Sequence, residues 1–299
     1  MGRHALENAA ALGKLVEELS RAGPATGGLD PMNLSRRLIV KPGKKLRLSD
    51  RDPDDMAGLG KPRGREATEK NLRRLADLEY LLYAEHKQAL LVVLQGMDAA
   101  GKDGTIRRVI TGLNPQSCKV TSFKQPSAEE LAHDFLWRIH KAVPSYGDIG
   151  IFNRSHYEDA LVVRVHGLVP ESVWSRRYDE INAFEKNLAE GGVMVLKFFL
   201  HISKDEQKRR FEDRLEDPTK NWKASPADFK ERQFWRDYTK AYEDVLAKCS
   251  TPWAPWFVIP ANHKWFRDLA VSQIIVETLE GMDLRFPKPA FDLSKIVIE

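Results

Sequence analysis

The chain has 299 residues, 42% of them hydrophobic, enough to bury a sizeable core as one large globular unit with appendages. Charged residues make up 30%, yet the formal net charge is only +4, which argues against disorder and gives no ground for a nucleic-acid partner. Cys118 and Cys249 match no metal-ligand spacing, and no apolar run approaches the ~20 residues of a membrane helix, so a cytoplasmic protein with reduced thiols and no membrane contact is expected.

Residues 1–34 stand apart. Apolar residues recur at roughly helical spacing over Ala5–Leu19, and A-G-P-A-T-G-G-L-D-P then breaks the pattern. This stretch reads as an N-terminal extension, helical or flexible. Residues 35–65, rich in charge, Gly and Pro, read as an ordered surface segment. From there helices and strands alternate. Arg65–Gln88 is expected as a helix, with Leu72, Leu75, Leu78, Leu82 and Tyr83 as its apolar stripe. The run A-L-L-V-V-L-Q-G is too short for a helix and rich in branched residues, which predicts a buried strand. Gly104–Leu113 follows as a helix, K-V-T-S-F as a strand and Ala128–Val143 as a helix after the cap-like Ser127. Next come the strand D-I-G-I-F-N, the helix Pro170–Glu190 and the strand G-V-M-V-L-K-F-F-L-H. Helices Ser203–Glu216 and Pro226–Lys248 flank the loop D-P-T-K-N-W-K, then W-F-V-I-P-A forms a strand and Lys264–Met282 a helix. Such alternation predicts an α/β fold, a parallel sheet covered by helices on both faces, in a single domain over residues 35–299.

The loop Q-G-M-D-A-A-G-K-D-G-T-I follows a predicted buried strand and opens a helix, the context in which G-x-x-x-x-G-K binds phosphate. Gly96 and Gly101 permit the tight turn, and backbone N–H groups from Ala99, Ala100 and Gly104 face an anion at the helix start. Lys102 supplies the cation for a transferring phosphoryl group. Asp103 stands where such loops place Ser or Thr. A carboxylate beside phosphate is tolerable when a cation lies between them, and Asp98 fits a direct or water-bridged Mg²⁺ ligand. Asp103 would share that setting, cap the helix or face solvent.

The strand D-I-G-I-F-N runs into R-S-H-Y-E-D. In a doubly wound sheet the carboxyl ends of neighbouring strands meet at the ligand crevice, so Asn153, Arg154, His156, Glu158 and Asp159 are expected beside the phosphate loop. Arg154 would neutralise phosphate oxygens through its fork of donors, while Glu158 and Asp159 would hold metal or orient a nucleophile. A charged helix N-terminus would give the same residues. Arg210 and Arg214 share one helix face at i,i+4, with Lys208 and Arg209 beside them and Lys220 and Lys223 in the loop after. Over residues 203–248 this reads as a lid closing on phosphates, or as a solvated helix laced by Glu206, Glu212, Asp213 and Glu216.

Taken together, G-M-D-A-A-G-K-D-G-T-I, F-N-R-S-H-Y-E-D and R-R-F-E-D-R-L-E-D-P-T-K-N-W-K resemble the second family of polyphosphate kinases, as do V-K-P-G-K-K-L-R-L-S-D-R-D-P-D-D and S-A-E-E-L-A-H-D-F-L-W-R. The likeness spans roughly residues 38–285. It implies a P-loop kinase fold of three α/β/α layers that moves a terminal phosphoryl group between inorganic polyphosphate and a nucleotide, with Mg²⁺, or Mn²⁺ in its place. Asp98 and Lys102 then match the metal- and phosphate-binding residues of the loop, Arg154 the arginine after the third strand, and Arg210 and Arg214 the paired lid arginines. Lys208, Arg209, Lys220 and Lys223 become candidates for the polyphosphate track. Where many members read D-R-S-W-Y-N-R this chain reads N-R-S-H-Y-E-D, so Asn153 cannot be the strand-end carboxylate, and Glu158 or Asp159 would replace it. This version looks like the subclass that takes AMP as well as ADP, giving ATP, and by analogy of fold a homodimer or homotetramer is expected.

Two other readings compete. An ATP-dependent nucleoside monophosphate kinase of the thymidylate type shares an Asp in the phosphate loop, but places Ser or Thr where Asp103 stands. A non-catalytic polyphosphate-binding module is disfavoured by the intact Asp98, Lys102 and Arg154.

Overall fold

The computed structural model describes residues 33–298, so the helix expected over Ala5–Leu19 lies outside the described residues. Five strands, β1 Ala89–Gln95, β2 Cys118–Ser122, β3 Ile149–Asn153, β4 Val193–His201 and β5 Trp256–Pro260, form one sheet in the order β2-β3-β1-β4-β5. Every neighbouring pair is parallel. All seven residues of β1 are buried, which explains its unbroken apolar run: a strand covered on both faces has no solvent side to encode. β1 sits between β3 and β4, so the chain turns to opposite sides of the sheet there, and the crevice at its carboxyl end is where ligands bind in such sheets.

Twelve helices are described: α1 Leu34–Leu38, α2 Lys61–Glu85, α3 Lys102–Val109, α4 Ala128–Leu131, α5 Trp137–His140, α6 Glu158–Val165, α7 Glu171–Trp174, α8 Arg177–Glu190, α9 Lys204–Glu216, α10 Pro226–Glu231, α11 Trp235–Cys249 and α12 Lys264–Gly281. One core packs Leu75, Leu78 and Leu82 of α2 and Phe266, Leu269 and Ile275 of α12 against one face of the sheet. On the other face Leu161 of α6, Ile181 and Phe184 of α8, and Val245 of α11 pack against Leu91, Val93 and Val195. These are the expected three layers. Ahead of α2, Ile39 bridges Phe257 and lies against the β5 edge, so the basic segment before residue 65 is ordered surface.

The strands fall where the apolar runs place them, within about a residue. The helices differ more. The single helix expected over Ala128–Val143 is two short ones. Ser127 does cap the first, in a reciprocal box with Glu130, but the Asp134 side chain then accepts the Leu136 N–H at 2.9 Å and takes over the backbone donor that a continuous helix needs. Pro170–Glu190 divides into α7 and α8. Pro226–Lys248 divides into α10, a 3₁₀ turn over Arg232–Phe234, and α11, with Arg232 held to the Lys204 carbonyl at 2.7 Å and to Gln207 Oε1 at 3.0 Å. The helix α6, starting inside S-H-Y-E-D, carries acidic Glu158 and Asp159 in its first turn.

Candidate active site

The loop between β1 and α3 has the backbone its glycines imply. Gly96 and Gly101 have φ of 154° and 105°, and Ala99 also takes a positive φ of 62°. A Cβ on Gly96 would lie 2.8 Å from the Leu200 carbonyl, and one on Gly101 would collide with the Arg267 guanidinium. The loop therefore curls tightly and leaves the N-terminus of α3 open as an anion site. Gly101→Ala is expected to destabilise the fold by about 1–3 kcal/mol and to cut turnover further, because conformation and space both oppose it. Denaturant unfolding alongside initial rates checks this, and a fully active, fully stable variant would contradict it.

Lys102 opens α3 and is 9% exposed. Its Nζ donates to the Gly96 carbonyl at 2.7 Å and the Met97 carbonyl at 3.4 Å. Burial, with Arg154 nearby, lowers its amine to about 8, against the opposing pull of Asp98, Glu158 and Asp103.

Across the crevice, the β1–β3 register sets Leu94 beside Asn153, which delivers the residue after it to the loop. Arg154 takes a left-handed φ of 64° and its N–H bonds the Leu94 carbonyl at 3.1 Å. The guanidinium then spans two carboxylates: Nη2 to Asp98 Oδ1 at 2.7 Å and Nη1 to Glu158 Oε2 at 3.1 Å. Burial opposes the charge on Arg154, but Glu158 and Asp98 outweigh it and raise its pKa. A strained backbone position held by its surroundings is the kind found where a side chain must be aimed.

Asp103, exposed on the first turn of α3, accepts from Asn153 Nδ2 at 2.8 Å and pairs with Lys223 at 3.8 Å. Around these groups lies a cleft of about 1220 Å³ lined by eleven Lys and Arg side chains and five aspartates. Arg214, Lys220 and Lys223 line it together with Gly101, Gly104, Asn153 and Arg154.

Residues 58–287 match the family model for Polyphosphate kinase 2. The chain belongs to this family. A curated relative, the AMP/ADP-polyphosphate phosphotransferase of Meiothermus ruber, is 52% identical over 266 residues, covering 88% of this chain and all of that protein. The ADP-polyphosphate phosphotransferase of Rhodopseudomonas palustris is 48% identical over 235 residues, 75% of this chain and 81% of that one. Among solved structures, polyphosphate kinase 2 from Arthrobacter aurescens TC1 superposes with a TM-score of 0.84 at 41% identity, covering 91% of this chain and 97% of that one. The resemblance read from the motifs holds, and this chain is a phosphotransferase of the polyphosphate kinase 2 family.

Not every residue singled out from the sequence reaches the cleft of this family member. His156 is wholly buried, with Nε2 3.1 Å from Glu185. It belongs to a core network in which Lys197 donates to Glu185 at 2.5 Å, to the Tyr157 hydroxyl at 2.8 Å and to the Cys249 carbonyl at 2.7 Å, and Tyr157 donates to Glu185 at 2.8 Å. A phosphate-binding His156 is therefore replaced by one that holds the turn carrying Arg154. Asp159 points to Arg138 at 3.3 Å and Arg177 at 3.7 Å and does not line the cleft, so the structure does not bring it to Asp98 as a second metal ligand. Lys208 pairs with Glu212, and Arg209 with Glu206 and Asp213, on the outer side of α9 rather than along the cleft.

Arg210 is buried and bonds the carbonyls of Ala99 and Ala100, both at 2.9 Å, and those of Ala261 and Asn262. Gln207 adds a bond to the Asp98 carbonyl at 2.9 Å. The first half of α9 is thus bolted to the phosphate loop. Arg214, one turn on, pairs with Asp228 at 3.4 Å and faces the cleft. Sequence reasoning missed Arg107, Arg108, Lys124, Lys264 and Arg267, which also line it. Lys264 and Arg267 open a helix directly after a strand of the same sheet, the signal that singled out Arg154.

Members of such a phosphotransferase family generally work with a divalent cation. Among the described residues no group of three or more His, Cys, Asp or Glu is arranged to hold a metal. A hard cation that keeps its waters and takes phosphate oxygens needs only one or two carboxylates. Asp98 suits it: Arg154 occupies Oδ1, no described residue hydrogen-bonds Oδ2, and the side chain lines the cleft. Among the described residues, no helix is long and apolar enough to cross a membrane.

The lowered amine of Lys102 has a pH signature. In the free protein Lys102 is a cation below about 8 and loses that charge above it. The kcat/KM for phosphoryl transfer is expected to be flat near pH ~7 and to fall about tenfold per unit above the amine's pKa, while kcat holds to higher pH because bound phosphate retains the proton. The stability sign runs opposite to a salt-bridged lysine: holding this ammonium buried opposes folding below about 8, and the opposition fades as pH rises toward the ordinary 10.5. A kcat/KM profile level through pH 9 would exclude this role.

Proposed function

We propose that this chain phosphorylates AMP and ADP at the expense of inorganic polyphosphate, using Mg²⁺. The single observation that carries the reading is the cleft itself, eleven cations against five aspartates, converging on a phosphate loop. A long polyanion needs such a track, whereas a lone ATP molecule needs only its end. Arg107, Arg214, Lys220, Lys223 and Lys264 receive the polymer, and Lys102 and Arg154 contact the group in transfer. Asp98 would hold the Mg²⁺, which when bound neutralises charge on the phosphate oxygens. Arg154, fixed between Asp98 and Glu158, presents its donors without reorganising, and the loop N–H groups orient the transferring phosphorus in line with the acceptor. The acceptor is already an ionised phosphate, so no strong general base is required.

The names of the Meiothermus ruber and Rhodopseudomonas palustris proteins support this substrate class. The same reading takes residues 35–299 as the catalytic domain and 203–248 as its lid, with the bolted start of α9 as the fixed side. It also takes the enzyme as a cytoplasmic homo-oligomer, dimer or tetramer. The test is direct. Purified protein with Mg²⁺, AMP and polyphosphate is expected to form ADP and then ATP, with the polyphosphate KM rising as salt increases. Turnover only with ATP and a nucleoside monophosphate would overturn the reading.

A further inference from the structure

Six of the seven residues of β1 are apolar, and the seventh, Gln95, is buried as deeply as the rest. It directly precedes Gly96 of the phosphate loop. A primary amide is a costly choice in a strand covered on both faces unless both of its ends are engaged. Here Nε2 donates to Ser155 Oγ at 3.1 Å, and Oε1 accepts from the Tyr242 hydroxyl of α11 at 3.4 Å. The Tyr242 ring is itself packed on Phe199, the neighbour of Gln95 in β4, with 4.5 Å between centroids. Ser155 is wholly buried too, and its Oγ also accepts the Tyr157 N–H at 3.2 Å.

These contacts bracket Arg154. Its own N–H is tied to the Leu94 carbonyl at 3.1 Å, and the next residue, Ser155, is tied to Gln95. Consecutive residues of β1 thus grip consecutive residues of the turn, the first through backbone and the second through a side chain. Between the two grips Arg154 holds a left-handed φ of 64°, which a residue with a side chain keeps only where its surroundings over-determine it. The backbone tie is open to any sequence, whereas the side-chain tie needs this glutamine and this serine. From that conformation the guanidinium leaves the turn toward Asp98 and Glu158.

Resting on the role given to Arg154 above, we propose that Gln95 is a positioning residue for phosphoryl transfer. With Ser155 it sets the turn of Arg154 in register with the phosphate loop, so that Arg154 and Lys102 address the same phosphoryl group. Gln95 has no exposed surface and touches neither substrate. Its contribution is alignment at the moment of transfer, where a displacement of about 1 Å costs up to ~10²-fold, and not substrate binding.

Gln95→Leu, close in volume and suited to an apolar strand, is expected to lower kcat by about 10–100-fold. The KM values for nucleotide and polyphosphate stay within about twofold, because lost alignment is felt in the transition state. Ser155→Ala cuts the same tie from its other end and shows the same split, and it carries the test if Gln95→Leu does not fold. Because the two residues form one link, the double variant loses no more than either single variant. The deciding measurement places Gln95→Leu in an Arg154→Ala background, where it is expected to change kcat by less than about twofold, since no guanidinium is left to aim. A melting curve on each preparation separates loss of folded protein from loss of rate. A full Gln95→Leu effect in the Arg154→Ala background, KM values that rise as kcat falls, or a normal kcat per folded molecule would overturn the positioning role. Near-normal turnover in Arg154→Ala alone would overturn the role given to Arg154 and this inference with it. Full turnover in Gln95→Leu beside a disabled Arg154→Ala would overturn this inference and leave that reading standing.

Discussion

Lys102→Met is expected to lower kcat/KM by about 10³-fold or more, the scale of losing one preorganised cationic donor from a phosphoryl-transfer site. The folded state should survive. Lys102 is buried, and burial already depresses its amine, so an apolar side chain of similar length removes a desolvated charge rather than a stabilising pair. Its two hydrogen bonds go to the carbonyls of Gly96 and Met97, at the mouth of the loop. The thermal midpoint is therefore expected within a few degrees of wild type or above it. Rates by coupled nucleotide detection and a melting curve on the same preparation decide the matter. Near-normal turnover would mean that the transferring phosphoryl group does not lie at this loop.

The second large effect concerns stability. In Lys197→Met the interior strand β4 would lose the cation that faces Glu185, leaving a carboxylate with no exposed surface and only His156 and Tyr157 as partners. Removing one member of a buried pair costs about 3–5 kcal/mol, mostly through the charge left behind. Urea denaturation should show a loss of that size, and the double variant Lys197→Met with Glu185→Leu should recover much of it, since no isolated charge remains. Equal losses in the single and double variants would show that packing, not charge, governs the site. Burial lowers the Lys197 amine while Glu185 pulls the other way, and the pair lowers Glu185 despite its burial. Because Tyr157 follows the turn that carries Arg154, loosening this network should also blunt turnover.

The strands and the phosphate loop were legible because their signals are local. A run such as A-L-L-V-V-L-Q encodes burial on both faces by itself, and Gly96 and Gly101 announce a backbone that other residues resist. The meeting of Arg154 with the loop was legible from sheet topology, since parallel strands bring their carboxyl ends together. What failed depended on side chains far apart in the chain. Nothing near His156 reveals that Glu185 and Lys197 will enclose it, and nothing near Asp159 reveals Arg138 and Arg177. Arg210 reads as a phosphate ligand until the carbonyls of Ala99, Ala100, Ala261 and Asn262 are seen to engage its guanidinium. The break after α4 hinged on one aspartate side chain outcompeting a helix bond.

The aspartate after the loop lysine has a consequence for how a polymer would move. Asp103 faces Lys223, Asp228 faces Arg214, and Asp217 faces Lys220. Three cations at the cleft, Arg214, Lys220 and Lys223, thus arrive with counter-ions already built into the chain. Polyphosphate would enter by exchange, each phosphate displacing a tethered carboxylate, rather than by simple addition to bare charge. Exchange lowers the grip of each contact, and because fewer free ions are released the salt dependence is shallower than eleven exposed cations would give. A track that holds its polymer loosely can let it advance by one unit after every transfer.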